Sequence, residues 1–510
     1  MTNSLRASTE GLAIVDRARQ RRGWTKTSTA RWWQDAHTSR ATLRRFWRSE
    51  RIQQEIFIAI CQVVGIDDWQ AIAAPAEHSD PIPDPSSTPQ LDWDDAPDLN
   101  QFYGRHQELA QLEQWMLSDR CKLIAIIGIA GIGKTALALA LTDRTQSVFE
   151  WIIWRSFHTA PSLLQLLDSL LHTFSAYQTT DIARDIPQGI VQLMHHLRQY
   201  RCLLILDGLD AVLPPQPNHD DYTMFLQRLS HDRHQSCLLI TSREKPQVIE
   251  AVEMNRSIRC LTLVGLRDTE ALQFLQTSGQ TNERALTALN RLYQGNPLAL
   301  MLVMPLIQSV FGGNVSAFLE QDAVVVDNRF RSLIKQQLDR LSDLERDIAY
   351  WLAIWQEPIS FCRLQTHLLA SPDPVMLLEG IAGLERRSLL EKRFNSDQPS
   401  FTLQPLVMKI ITDELVEQGT QEIIQVIQSS EIHHFKVIRT HWLLRPGTDD
   451  IAGDRILNQL QDKLWRISRN TLPQALWQIL SLLNVHPPLT IGYASCNVTA
   501  LLKQLDLDRE

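Results

Sequence analysis

Leu123-Ile124-Ala125-Ile126-Ile127-Gly128-Ile129-Ala130-Gly131-Ile132-Gly133-Lys134-Thr135 sets the architecture of this chain. Five consecutive apolar residues read as a buried parallel strand that ends on glycine. G-x-x-x-x-G-K-T follows, and then Ala136-Leu137-Ala138-Leu139-Ala140-Leu141, a run of strong helix formers. Strand, glycine loop and helix together make a phosphate cradle. The backbone from Gly128 through Ile129, Ala130, Gly131 and Ile132 to Gly133 is expected to turn its N–H groups on a β-phosphate, helped by the helix N-terminus. Lys134 would reach the β- and γ-phosphates and the Thr135 hydroxyl a magnesium ion. The implied ligand is a nucleoside triphosphate.

The remaining composition bounds the class. At 510 residues the chain is too long for one core, and ~150 residues per domain implies three or four. With 44% hydrophobic and 21% charged residues it reads as globular. No apolar run approaches the ~20 residues that span a bilayer, so no membrane partner is expected. The start, Met1-Thr2-Asn3-Ser4-Leu5-Arg6, has no signal-peptide pattern. Seven cysteines lie scattered without C-x-x-C spacing, which points to a reducing cytoplasm and to neither zinc nor disulfides.

Residues 1–74 read as a small basic module. Between Arg21 and Arg51 nine basic residues face only Asp35 and Glu50, in a chain of net charge −8. Thr38 and Ser39 are N-cap types, and the run to Arg48 reads as a helix. On it Arg40, Arg44 and Arg48 recur every four residues beside an apolar stripe of Leu43, Phe46 and Trp47. Helices around Thr29–Ala36 and Gln53–Val64 complete a helix-turn-helix pattern. It resembles the Cro/repressor-like domain at the front of some bacterial signalling ATPases. That resemblance implies DNA contacts by Arg40, Arg44, Arg45 and Arg48, within a DNA-facing stretch of residues 21–51. A small helical adaptor with a solvated basic face fits the same composition, and salt dependence separates the two. Residues 75–98, rich in proline and aspartate, read as an acidic tether unable to hold a helix or a strand ladder.

Residues 99–265 alternate strands and helices. Glu150–Arg155 reads as a second strand, and Arg201–Asp207 as a third that delivers a carboxylate at its tip. There Asp207 would sit beside the phosphate loop and, with Thr135, hold magnesium. Ser236–Arg243 reads as a further strand ending in a polar cluster, and Cys260–Val264 closes the sheet. Phe102-Tyr103-Gly104-Arg105-His106-Gln107-Glu108-Leu109 resembles the hhGRxxEL entry motif of the NB-ARC and related STAND ATPases. In that family Gly104 and Arg105 would fold over adenine and ribose, and Arg243 would contact the γ-phosphate. The plant-type pattern has a second acid directly after the first; Gly208 stands there in this chain. The next acid, Asp210, is the expected hydrolytic base, and slow turnover follows.

Residues 266–329 turn helical, and Gly295-Asn296-Pro297-Leu298-Ala299-Leu300 resembles the GxPLAL motif, which implies that Pro297 packs on the adenine. Residues 330–418 read as three amphipathic helices and two short strands, resembling the family's winged helix. The family's Met-His-Asp triplet is replaced by Leu403-Gln404-Pro405, so Gln404 would meet a phosphate without charge. Residues 419–510 read as helical. Their end resembles the segment that leads into WD-repeat or pentapeptide arrays in cyanobacterial relatives, so either a separate sensor protein or a shortened relative is expected.

The fold class is therefore multidomain α/β plus α: a P-loop parallel sheet with helical subdomain and winged helix, preceded by a helix-turn-helix-like module. The implied function is an ATP/ADP switch with Mg2+ that controls exposure or homo-oligomerisation of the basic module. A DNA-dependent ATPase of the loader or remodeller kind and a non-hydrolysing nucleotide-bound adaptor are the alternatives.

Overall fold

A computed structural model of the protein describes residues 4–26, 30–36, 38–49, 52–66, 68–73, 89–93, 96–98, 102–174, 185–214, 219–252, 257–276, 282–321, 324–368, 372–395, 398–444, 455–468 and 471–507. It divides into two compact units, Met1–Ala96 with Gln146–Arg155, and Pro97–Thr145 with Ser156–Glu510.

In the first unit, helices α1 (Thr9–Arg21), α2 (Ala30–Asp35), α3 (Arg40–Trp47) and α4 (Gln54–Val63) surround a core of Trp32, Leu43, Phe46, Phe57 and Ile60. Ser39 caps α3 by accepting the Thr42 N–H at 3.1 Å, and the buried Trp32 indole donates to the Ile60 carbonyl at 3.2 Å. Strands β1 (Ser4–Leu5) and β2 (Ile52–Gln53) pair antiparallel and tie the start of the chain to α4. Helix α1 has no counterpart in the sequence reading. Its one fully buried large apolar residue is Val15, so it offers little periodic signal.

The reading of 75–98 as ladder-free is corrected. Strand β3 (Gln90–Asp92) pairs parallel with β5 (Trp151–Ser156); Asp92 meets Arg155 at 2.7 Å, and Trp93 stacks on Trp154. No proline falls between Pro89 and Pro97, and a strand bonded to one neighbour tolerates proline at its start. Pro75, Pro81, Pro83 and Pro85 lie outside the described residues.

In the second unit, strands β4 (Leu123–Ile127), β6 (Cys202–Asp207), β7 (Cys237–Ser242) and β8 (Ile258–Thr262) run parallel in the order β6-β7-β4-β8. All residues of β4, β6 and β7 are buried, as the unbroken apolar runs require. Helices α5 (His106–Glu113), α6 (Lys134–Thr145), α7 (Leu163–Phe174), α8 (Ile186–Gln199), α9 (His219–His231) and α10 (Gln247–Val252) accompany them. Next come α11 (Asp268–Gln276), α12 (Glu283–Leu292), α13 (Pro297–Phe311) and α14 (Val315–Leu319).

The following region contains α15 (Asn328–Leu338), α16 (Asp343–Trp355), α17 (Phe361–His367) and α18 (Pro374–Arg386). Its strands β9 (Ile359–Ser360), β10 (Leu390–Asn395) and β11 (Gln398–Leu403) form an antiparallel sheet in the order β10-β11-β9. Among the described residues from 330 to 418 there is one strand more than the pattern indicates, and two helices more, counting the one that begins at Pro405. The short β9 escapes because only two of its residues pair with β11.

The chain ends in α19 (Pro405–Ser429), α20 (Val437–Thr440), α21 (Arg455–Ser468), α22 (Leu472–Leu483), α23 (Pro488–Ile491) and α24 (Ala494–Leu507). A domain boundary between residues 418 and 419 does not hold, because α19 runs through it unbroken. Gly419 marks a close approach: a Cβ there would lie 2.8 Å from Leu460 of α21. Among the described residues no helix is long and apolar enough to cross a membrane.

Candidate functional site

The parallel register brings the strand tips together: Ile127 is opposite Ser242, and Asp207 opposite Thr241. From the tip of β4 the loop turns through Gly131 at φ +75° and Gly133 at φ +102°, conformations that suit glycine, into α6. Lys134 donates to its own loop, 2.8 Å from the Gly128 carbonyl and 3.0 Å from that of Ile129. Burial pushes its ammonium down to about 8; Arg243 adds to that shift, while Asp210 and Asp207 oppose it. The Thr135 hydroxyl donates to Asp207 Oδ1 at 2.8 Å, and the Thr241 hydroxyl donates to the same oxygen at 2.5 Å. A carboxylate and a hydroxyl so close are the oxygen donor set magnesium takes beside phosphate. The lysine with carbonyls as its partners is the group a phosphate would attract. The residues present therefore fit a nucleotide with magnesium.

Asp210 and Arg243 lie beside them as a pair. The Arg243 N–H donates to Asp210 Oδ1 at 2.9 Å, and its Nε is 3.4 Å from Oδ2. Arg243 Nη1 reaches the Leu333 carbonyl of α15 at 3.4 Å. Both Asp210 oxygens thus face Arg243.

Arg105 and Asn296, the latter beside Pro297, brace the loop. Arg105, buried at φ +60°, donates to the Ile132 carbonyl at 3.3 Å and pairs with Glu108 at 3.1 Å. Its N–H donates to Glu270 of α11 at 2.7 Å, and Glu270 packs so close that a Cβ on Gly104 would lie 2.6 Å from it. Pro297 opens α13, where its neighbour Asn296 is the N-cap. The Asn296 amide donates to the Ala130 carbonyl at 3.0 Å while its oxygen accepts the Ala299 N–H. Glu270, Asn296 and Thr241 carry these contacts without having been singled out by sequence. Asn296 between glycine and proline was the readable signal, since asparagine before a helix is a cap type.

A second group grips the same strand tips. Arg340, just after α15, donates to the carbonyls of Asp210 (2.7 Å), Leu213 (3.1 Å) and Pro214 (2.6 Å) and lies 3.4 Å from Glu244. Arg387, after α18, pairs with Glu345 at 2.8 Å and faces Glu244 at 3.8 Å. Burial pushes the Glu244 carboxyl up, and Arg387, Arg340 and Arg386 pull it back. A cavity of about 610 Å³ opens beside this cluster. Gln404 stands apart: it is the N-cap residue of α19, bonded through its N–H to the Leu389 carbonyl.

In the first unit, Arg45 and Arg48 are exposed on α3, and Arg44 is half-buried. The Arg40 side chain lies outside the described residues. Lys26 sits 4.9 Å above the Trp47 ring and 3.6 Å from Asp16, so part of the basic window is engaged inside the module.

Residues 105–285 match the family model described as NB-ARC domain. The chain is 32% identical over 586 positions to an uncharacterized WD repeat-containing protein of Nostoc sp., covering 99% of this chain and 46% of the relative. It thus spans about half the length of that curated relative. Among solved structures it is similar to a signal transduction ATPase with numerous domains (STAND) that carries a tetratricopeptide repeat sensor, from Pyrococcus horikoshii. There the identity is 18%, over 84% of this chain and 59% of that one, with a TM-score of 0.33. A Walker-type ATPase of Pyrococcus abyssi is similar at 14% identity, over 61% and 96% of the two chains, with a TM-score of 0.45.

Proposed function

The chain carries an NB-ARC domain on a P-loop NTPase fold, and from that premise we propose that it is an ATP/ADP-dependent signal-transduction switch. The observation that carries this reading is the shared footing of two groups on the same strand tips. Lys134, Thr135 and Asp207 converge there as a phosphate and magnesium set. Arg340 grips the Asp210 carbonyl while Asp210 holds Arg243, so the α15–α18 arm rests on the phosphate-facing loops. Bound Mg2+ would neutralise charge between the β- and γ-phosphates. Lys134 would orient the phosphates, Thr135 and Asp207 would hold the ion, and Arg243 would exchange Asp210 for the γ-phosphate. That exchange would loosen the seat of Arg340 and free the arm, a domain movement driven by one phosphoryl group. Asp210, once released, is the base for slow hydrolysis. The basic module is the output: it takes DNA phosphates through Arg40, Arg44, Arg45 and Arg48 in a cytoplasmic setting. The ATP state favours a homo-oligomer, and a sensor or effector protein supplies the signal.

Thermal melting with nucleotide tests this. At a hundredfold excess over Kd, ATP–Mg2+ should stabilise the parent by about 2.7 kcal/mol. Lys134→Ala should show no shift, and Arg243→Ala should bring the ATP and ADP affinities together. A full ATP-dependent shift in Lys134→Ala would falsify the assignment.

A further inference from the structure

We propose that the turn between α19 and α20 is a binding site for a divalent transition-metal cation, held by Glu431, His433 and His434. Glu431 Oε2 lies 3.4 Å from His433 Nδ1 and 3.7 Å from His434 Nε2, and the three donor atoms lie within 4.8 Å of one another. Ligands about 2.1 Å from a tetrahedral zinc are roughly 3.4 Å apart. Two of the three separations are near that value already. Small side-chain rotations of the imidazoles close the third, and His433 is exposed enough to make them freely.

The backbone under this trio is fixed from both sides. Upstream, Ser430 ends α19 at φ +61°, its N–H on the Val426 carbonyl at 2.9 Å, and the Glu431 N–H is taken by the Ser429 hydroxyl at 3.1 Å. Downstream, the buried Glu422 carboxylate accepts the N–H groups of Lys436, Val437 and Ile438 at 3.0, 2.9 and 3.1 Å, and Phe435 is buried. A turn pinned at both ends removes the backbone share of the ordering cost on binding, and only side-chain rotamers remain to be fixed.

Two imidazoles and one carboxylate suit zinc, nickel, copper or cobalt, whereas magnesium and calcium prefer all-oxygen sets. The fourth position stays open for water or a donor from another molecule. The chemistry requires no change of oxidation state. The cation binds to neutral imidazoles and an ionised carboxylate, and it would clip the turn between α19 and α20. None of these residues belongs to the nucleotide site, so the inference stands apart from the switch reading.

The test uses tag-free full-length protein stripped with a chelator, titrated with zinc chloride by calorimetry and with cobalt(II) by visible absorption. One equivalent of zinc should bind with micromolar affinity, and cobalt should give the d–d bands of an imidazole-bound site. His433→Ala and His434→Ala should each weaken zinc at least tenfold, while His486→Ala, at an exposed histidine elsewhere, should leave it unchanged. All three changes fall on solvent-facing or half-exposed positions, and the melting temperature without metal should confirm intact folding. Stoichiometry and affinity unaltered in the His433→Ala/His434→Ala double variant, or an equal loss in His486→Ala, would overturn the site.

Discussion

Lys134 ties nucleotide affinity to pH. Burial disfavours its charged form and pushes the ammonium down to about 8. Phosphates favour that charged form, so binding takes up a proton once the free lysine has lost one. Affinity for ATP–Mg2+ should therefore be full below pH 8 and fall above it, by at most about tenfold per pH unit. Stability without nucleotide moves the other way. The folded lysine releases its proton earlier than the unfolded one, so stability should rise from pH 8 towards about 10.4. Titrating affinity across pH in the parent checks this; a flat profile would remove the lysine from phosphate contact. At this scale the loop residues were legible from their order alone. Asp210, the expected hydrolytic base, holds Arg243, a pairing across 33 positions that no local pattern carries.

Among elements, the proposed switch would couple at the junction of α15–α18 with the strand tips. Arg340 and Glu244 are both largely buried, and removing one partner of such a network commonly costs about 3 kcal/mol because the other charge is stranded. Arg340→Ala should speed amide hydrogen exchange across α15–α18 and hasten nucleotide release, while ATP-dependent stabilisation persists. Unchanged exchange protection in the arm would show that other contacts hold it. In the sequence Arg340 looks like an ordinary cation at the end of a helix. Its partners lie some 130 residues upstream, and they become its partners only when β6, β7 and the arm are packed. Helix α19 makes the same point. Gly419, inside that helix, serves as a contact point with α21 in the fold.

For the whole molecule, the test concerns what the nucleotide controls. If the first unit grips DNA, the logarithm of affinity should fall against the logarithm of salt with a slope near −0.9 per phosphate neutralised. Replacing Arg45 and Arg48, both exposed on α3, should reduce that slope by about 2 and weaken binding evenly across sequences. Binding insensitive to salt, or to these two changes, would leave the module as a protein-docking adaptor.

The sequence by itself determined the P-loop, the carboxylate-tipped strand and the basic helix. Each is a contiguous run in which glycine conformation, apolar periodicity and helix capping act over a few residues. Only the tertiary structure decided that Thr241 shares Asp207 with Thr135, that Asn296 and Arg105 brace the phosphate loop, and that Arg340 grips the segment after β6. Those contacts depend on strand order and on the approach of distant elements. The free energy of a buried hydrogen bond or ion pair is set by the partner that packing supplies.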